Sequence, residues 1–213
     1  MVTAHGAVIL VAAGLLVTGL PAPPDLTAQE FHVDRDATRS VVFVSRTTLD
    51  TFRGTTDAVD GYVLLDGDGV RPVEGPVGTL YFEVDLATLD TGIGLRNRHM
   101  RENYLEVDDH PFASFEGRID WIRPDSVPGF RVAASGTFTA HGVERPRELT
   151  CTARSDGDGF RVTCGFPVLL TDHDIDIPRL MFMRLAEEVQ LELDFRLRRV
   201  GAPLPHIPDE EAP

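Results

Sequence analysis

The chain has 213 residues, 42% of them hydrophobic and 25% charged, enough for one globular domain with a core of its own. Its formal net charge is −14, all 20 basic side chains are arginine, and no basic run interrupts the acidity. Such a surface repels a phosphate backbone, which excludes nucleic acid as a partner.

The N-terminal stretch AVILVAAGLLVTGL, residues 7–20, carries no charge. It is short of the roughly 20 residues that span a bilayer but suits the apolar region of a secretory signal peptide. Leu26-Thr27-Ala28 supplies a small residue for cleavage, while only the α-amino group and His5 offer positive charge ahead of the apolar run. An uncleaved anchor is the alternative. The expected organisation is a signal peptide over 1–28, a folded domain over 29–200 and a disordered, acidic, Pro-rich tail over 201–213, GAPLPHIPDEEAP. Export is therefore expected. No cysteine precedes Cys151, so lipoprotein acylation is excluded.

From Phe31 onward the sequence alternates with period two, the pattern of strands with one buried and one wet face. Short strands are expected at 31–34, 40–46 and 59–65. Leu80, Phe82 and Val84 then alternate with Tyr81, Glu83 and Asp85. Phe115, Gly117, Ile119 and Trp121 form the next series, followed by Phe130, Val132, Ala134, Gly136 and Phe138. The clearest series is Val189, Leu191, Leu193, Phe195 and Leu197. DGDG at 66–69 and again at 156–159 reads as hairpin tips rather than calcium loops, because neither continues into EF-hand spacing. DHDID at 172–176 fails the same test, with Ile177 where such a loop needs Gly.

One segment breaks the strand period. Residues 94–106, GLRNRHMRENYLE, place Leu95, Met100 and Tyr104 towards one side of a helix, with Thr91 as its cap and Pro111 beyond its end. Many half-apolar strands with one short helical insertion predict an all-β, closed antiparallel barrel of about eight strands, which removes exposed edges. A two-sheet sandwich produces the same alternation.

Cys151 and Cys164 flank the second DGDG. With a two-residue loop at Gly157-Asp158, counting outward sets Cys151 opposite Cys164 on the face shared by Ala153, Phe160 and Val162. Cross-strand Cα separations of roughly 4.5–5.5 Å suit a disulfide, expected in an exported chain. Two reduced buried thiols are the alternative.

Asp90-Thr91-Gly92 spells the aspartic-protease tripeptide, but such enzymes need a second aspartate to share a proton, and no second Asp-Thr-Gly or Asp-Ser-Gly occurs. A turn leading into the helix is the better reading. His99 and His110 flank Glu102, Asp108 and Asp109 without HExxH spacing, so no metal site is expected, and no GxSxG is present. The residues therefore point to no catalytic group and no cofactor.

Three stretches carry a resemblance: FHVDRDATRSVVFVSR, LDTGIGLRNRHMRENYLEVDDHPFASFEG and GTFTAHGVERPRELTCTA. With Asp34, Phe43, Thr91, Gly92, Arg98, His99, Met100, Tyr104, Pro111, Phe115, Gly136, Gly142 and Val143 in matching positions, the chain resembles the YceI family over residues 31–198. The resemblance implies a lipocalin-like barrel, secreted or periplasmic, that binds a polyisoprenoid or other long-chain lipid in an apolar pore. It departs from the family at the polar stretch TTLDTFRGTTDA, residues 47–58, and in its cysteine pair.

Phe43, Leu80, Phe82, Val84, Phe115, Trp121, Phe138, Phe160, Val162, Leu191 and Leu193 are expected to face inward, some lining the ligand path. Met100 and Tyr104 are expected to pack the helix over one end. Arg98 would meet a polar head at that mouth or form an ordinary surface salt bridge. Transient membrane contact and a monomeric or homodimeric state complete the expectation. The rival reading is a structural or stress-protective envelope protein whose barrel is packed solid, since an apolar inner face serves either.

Overall fold

The computed structural model describes residues 28–46, 51–67, 69–126, 128–177, 179–180 and 183–201. The expected signal peptide up to Thr27 and the tail beyond Gly201 lie outside them. The strands are β1 (Ala28–Val33), β2 (Ser40–Arg46), β3 (Thr51–Thr56), β4 (Val59–Asp66), β5 (Val73–Asp85), β6 (Phe112–Pro124), β7 (Phe130–Ala140), β8 (Val143–Asp156), β9 (Gly159–Leu169), β10 (Arg179–Leu180), β11 (Met183–Arg184) and β12 (Glu188–Arg199). One α-helix among the described residues, α1 (Gly94–Asn103), lies between β5 and β6, and short 3₁₀ turns occupy Leu86–Thr88 and Leu170–His173.

Apart from the small β10–β11 ribbon, the strands form one antiparallel sheet in the order β1-β4-β5-β6-β7-β8-β9-β12-β2-β3, and a β1–β12 pairing closes it. Phe31–Val33 pair with Leu197–Arg199, and Ser40–Ser45 pair with Val189–Asp194, so β1 and β2 follow one another along the same edge of β12. They are two halves of one wall strand, broken at 34–39. β3 and β4 are likewise two halves, pairing with β2 and β1 and broken at 57–58. The result is a closed barrel with eight wall positions, the architecture that inward alternation demands.

The β8–β9 hairpin has the register counted from the sequence, with Asp156 opposite Gly159, Ser155 opposite Phe160 and Thr152 opposite Thr163. Its two-residue turn has Gly157 at φ 62°, as this tight connection requires. Cys151 and Cys164 form a disulfide with a Cα–Cα separation of 4.5 Å.

Trp121 departs from expectation. The β6–β7 register shifts between Ile119 and Trp121, so one extra residue enters β6 at Asp120. The bulge reverses the faces beyond it: Ile119 and Ile122 are buried at 4% and 2% exposure. Trp121 turns outward, with the Arg123 guanidinium 4.1 Å from its ring centroid.

The helix also differs. No residue of α1 is buried, and Leu95 is 56% exposed. Thr91 is not its cap: the first helical turn follows Ile93, with no side chain bonded to its end. Instead the Thr91 N–H and hydroxyl both donate to Asn97 Oδ1, at 2.8 and 2.6 Å. Arg101 donates to the Leu89 carbonyl at 2.7 Å. Polar contacts, rather than an apolar stripe, hold α1 to the barrel end.

Candidate functional site

The barrel is hollow. An apolar cavity of about 200 Å³ lies inside it, larger than the roughly 150 Å³ engineered cavity that stays dry and takes benzene, and smaller than a drug-sized pocket. Its wall runs from Leu65, Val70 and Ile122 at one end of the strands to Leu86, Leu89 and Ala113 at the α1 end. Every lining residue is apolar or belongs to the cystine, whose Cys151 and Cys164 both face the cavity.

Ten of the residues chosen from alternation line this space. They are Phe43 from β2; Leu80, Phe82 and Val84 from β5; Phe115 from β6; Phe138 from β7; Phe160 and Val162 from β9; Leu191 and Leu193 from β12. Phenylalanine rings crowd the space, with Phe82 against Phe195 at 5.1 Å and Phe31 edge-on to Phe160 at 5.6 Å between centroids. Three chosen residues do not line it. Trp121 is turned out by the bulge, and Met100 and Tyr104 are half-buried on and just after the polar-anchored helix. Arg98 is exposed on α1. The sequence reading missed Ile122, which the bulge carries inward, and the ends contributed by Leu86 and Leu89.

The Asp-Thr-Gly tripeptide forms a turn. Asp90 Oδ1 accepts from the Gly92 N–H at 2.8 Å and from Asn97 Nδ2 at 2.6 Å. These bonds, the Asn97 amide first, hold its carboxyl below the usual range. Gly92 sits at φ 76°, and Asp90 bridges to Thr55 of β3.

A second feature lies outside the cavity at the same barrel end. Glu106, His110 and His141 place one potential ligand atom each within 4.8 Å of one another. This grouping was not visible in the sequence, where only His99, His110 and nearby carboxylates were weighed. A turn after α1 brings Glu106 and His110 together, since the Glu106 carbonyl accepts from the His110 N–H at 2.9 Å. His141 arrives from the β7–β8 hairpin, 35 residues away.

The YceI-like domain profile matches residues 31–197. Among solved structures, the chain is similar to BcnA of Burkholderia cenocepacia, with a TM-score of 0.59 and 17% identity over 77% of this chain and 98% of that one. It is similar to a polyisoprenoid binding domain from Saccharophagus degradans implicated in plant cell wall breakdown, with a TM-score of 0.56 and 16% identity over 83% of this chain and 100% of that one. The Campylobacter jejuni YCEI protein matches with a TM-score of 0.51 and 11% identity over 70% and 85% of the two chains. At such identities the likeness is one of fold. No curated protein matches the chain significantly.

Proposed function

The chain belongs to the YceI-like domain family, and from that premise we propose that it is an exported binding protein that holds or carries a polyisoprenoid or similar long-chain lipid inside its barrel. The observation that carries this reading is the continuous cavity with no hydrogen-bonding side chain on its wall. A ligand there gains from dispersion and water exclusion alone, so its reactive groups, if any, stay at the mouth. At roughly 0.8 kcal/mol per buried methylene, about ten methylenes offset association costs of roughly 4–15 kcal/mol. An apolar chain supplies them, and the cavity's modest size favours a slender ligand over a bulky one. The cystine supports export, because disulfides persist in oxidising compartments. No catalytic step belongs to this reading: the one aspartate with a suggestive sequence context is consumed by its own turn.

The solid-core alternative has the cavity against it. The deciding experiment is native mass spectrometry of protein isolated from its own envelope, followed by solvent extraction and reloading with polyprenyl lipids of defined length. A stoichiometric apolar adduct, weakened at least about tenfold by a polar Leu193→Asn substitution on the cavity wall, is the expected result. A clean mass before and after incubation with every lipid sinks the carrier reading and leaves a structural envelope protein.

A further inference from the structure

The hydrogen bonds around His141 determine which of its nitrogens carries a proton. Its Nδ1 lies 3.2 Å from the His173 carbonyl oxygen, which can only accept, so Nδ1 is the donor. In the neutral ring, Nε2 then carries a lone pair. That lone pair faces Glu106 Oε2 at 3.3 Å, and an ionised carboxylate is also only an acceptor. A metal ion seated beside these two acceptors would satisfy both at once.

Several features favour the metal. A ring nitrogen bonded to a backbone carbonyl is the arrangement that orients a metal-ligating histidine and raises its basicity. Two ligands each about 2.0–2.1 Å from a tetrahedral ion lie roughly 3.3–3.4 Å apart, which the His141–Glu106 pair already satisfies. His110 is the third member, its ring edge-on to His141 with centroids 4.8 Å apart. It rests on the hairpin turn itself: a Cβ at Gly142 would come within 2.7 Å of His110 Cε1. His173 is fully buried and donates through Nδ1 to the Val143 carbonyl at 2.9 Å, so the segment that orients His141 is itself pinned to β8. The Glu106 side chain is 52% exposed and that of His141 13%, leaving an open side and a carboxylate free to close the remaining gap.

From this geometry we propose that Glu106, His110 and His141 form a mononuclear site for a divalent transition metal of the zinc class. Two imidazoles and one carboxylate suit Zn²⁺ and its neighbours, rather than Ca²⁺ or Mg²⁺, which take all-oxygen shells. Solvent completes the coordination. The bound ion cross-links the turn after α1 to the β7–β8 tip and so clasps the α1 end of the barrel, independently of what the cavity holds.

The test uses untagged full-length protein, stripped with a chelator and titrated with Zn²⁺ by calorimetry, with thermal unfolding followed in parallel. One ion per chain and a raised unfolding midpoint are expected. E106Q keeps the exposed side chain's shape and removes its charge; H141N keeps a residue tolerant of the left-handed backbone at φ 51°. Each weakens binding by at least about tenfold, while H99A binds as the parent does. Co²⁺ in place of Zn²⁺ gives the d–d bands of a four- or five-coordinate site, lost in E106Q. Absence of stoichiometric binding overturns the proposal. So does binding that survives both E106Q and H141N, because the ion then sits elsewhere.

Discussion

From β5 to β9 the barrel wall is made of strands 11 to 14 residues long, joined by extended backbone ladders from β5 to β8, while β8 and β9 pair only between Thr152–Asp156 and Gly159–Thr163. From β1 to β4 the strands have only 6 to 8 residues, and each pair of halves is interrupted. In those interruptions arginines take over from the ladder. Arg39 Nε donates to the Asp57 carbonyl at 2.6 Å, and Arg161 Nη1 to the Thr38 carbonyl at 2.6 Å. Arg196 joins Asp34 at the first break and reaches Asp158 at 2.6 Å, and Arg35 pairs with Asp60. The contrast teaches that the same inward apolar face is held by two means: backbone hydrogen bonds on one side, and charge laid over a broken ladder on the other.

If that division is correct, the largest loss comes from the core both sides share. Phe195 is 2% exposed on β12, the strand that joins the two regions, so Phe195→Ala should lower stability by about 3–5 kcal/mol in urea unfolding. Next is the cystine inside the long-stranded wall. Its 13-residue separation closes a loop for which chain entropy predicts about 3 kcal/mol, so the double C151S/C164S variant should lose about that much. Reductant should then leave its urea midpoint unchanged while lowering that of the parent.

Asp34→Asn tests the other side, and about 1.5–3 kcal/mol is expected from removing a charged hydrogen-bond partner of Arg196. Burial pushes the Asp34 carboxyl up, but the Asp36 N–H and Arg196 together outweigh it and hold its pKa below the ordinary value. The stabilisation is therefore fully present above the unfolded carboxyl pKa, about 3.9, and fades as pH falls through the lower folded value. The parent should lose stability with acid more steeply than D34N. Hydrogen exchange should quicken across β1–β4 before β6–β8, and equal quickening in both would remove the distinction between the two walls.

The same contrast explains what could be read from the residues. The closed barrel followed from alternation, and the cystine followed from a two-residue turn that fixes register. β3 escaped because its inner face contains Gly54 and Thr56: a Cβ at Gly54 would come within 2.0 Å of the Phe43 ring, so the space belongs to the neighbouring strand. With Phe52 as the only large apolar side chain on that face, glycine and threonine leave β3 no apolar period to read. The helical pattern in α1 was real, but its assumed apolar face was not, because Arg96, Asn97 and Arg101 anchor it through polar bonds. The cavity wall was legible through ten residues for the reason the barrel was; the Glu106–His110–His141 grouping was not, since a hairpin tip and a helix exit meet only in three dimensions.

The smallest effect makes the sharpest test of the long-stranded wall, because there the alternation was broken by a single residue. An inward Trp121 would cost about 3–5 kcal/mol on truncation to Ala. Turned outward by the bulge, it contributes chiefly the stacking of Arg123, itself fixed by a fork of hydrogen bonds to Glu74 at 2.7 and 2.9 Å. Trp121→Ala should therefore cost less than about 1 kcal/mol and leave lipid loading intact. Ile122→Ala, at the next position and 2% exposed, should cost about 2–5 kcal/mol. Urea midpoints of the two variants decide the face on which each residue lies: the reverse order would mean that β6 runs without its bulge, with Trp121 filling the cavity that Ile122 now borders.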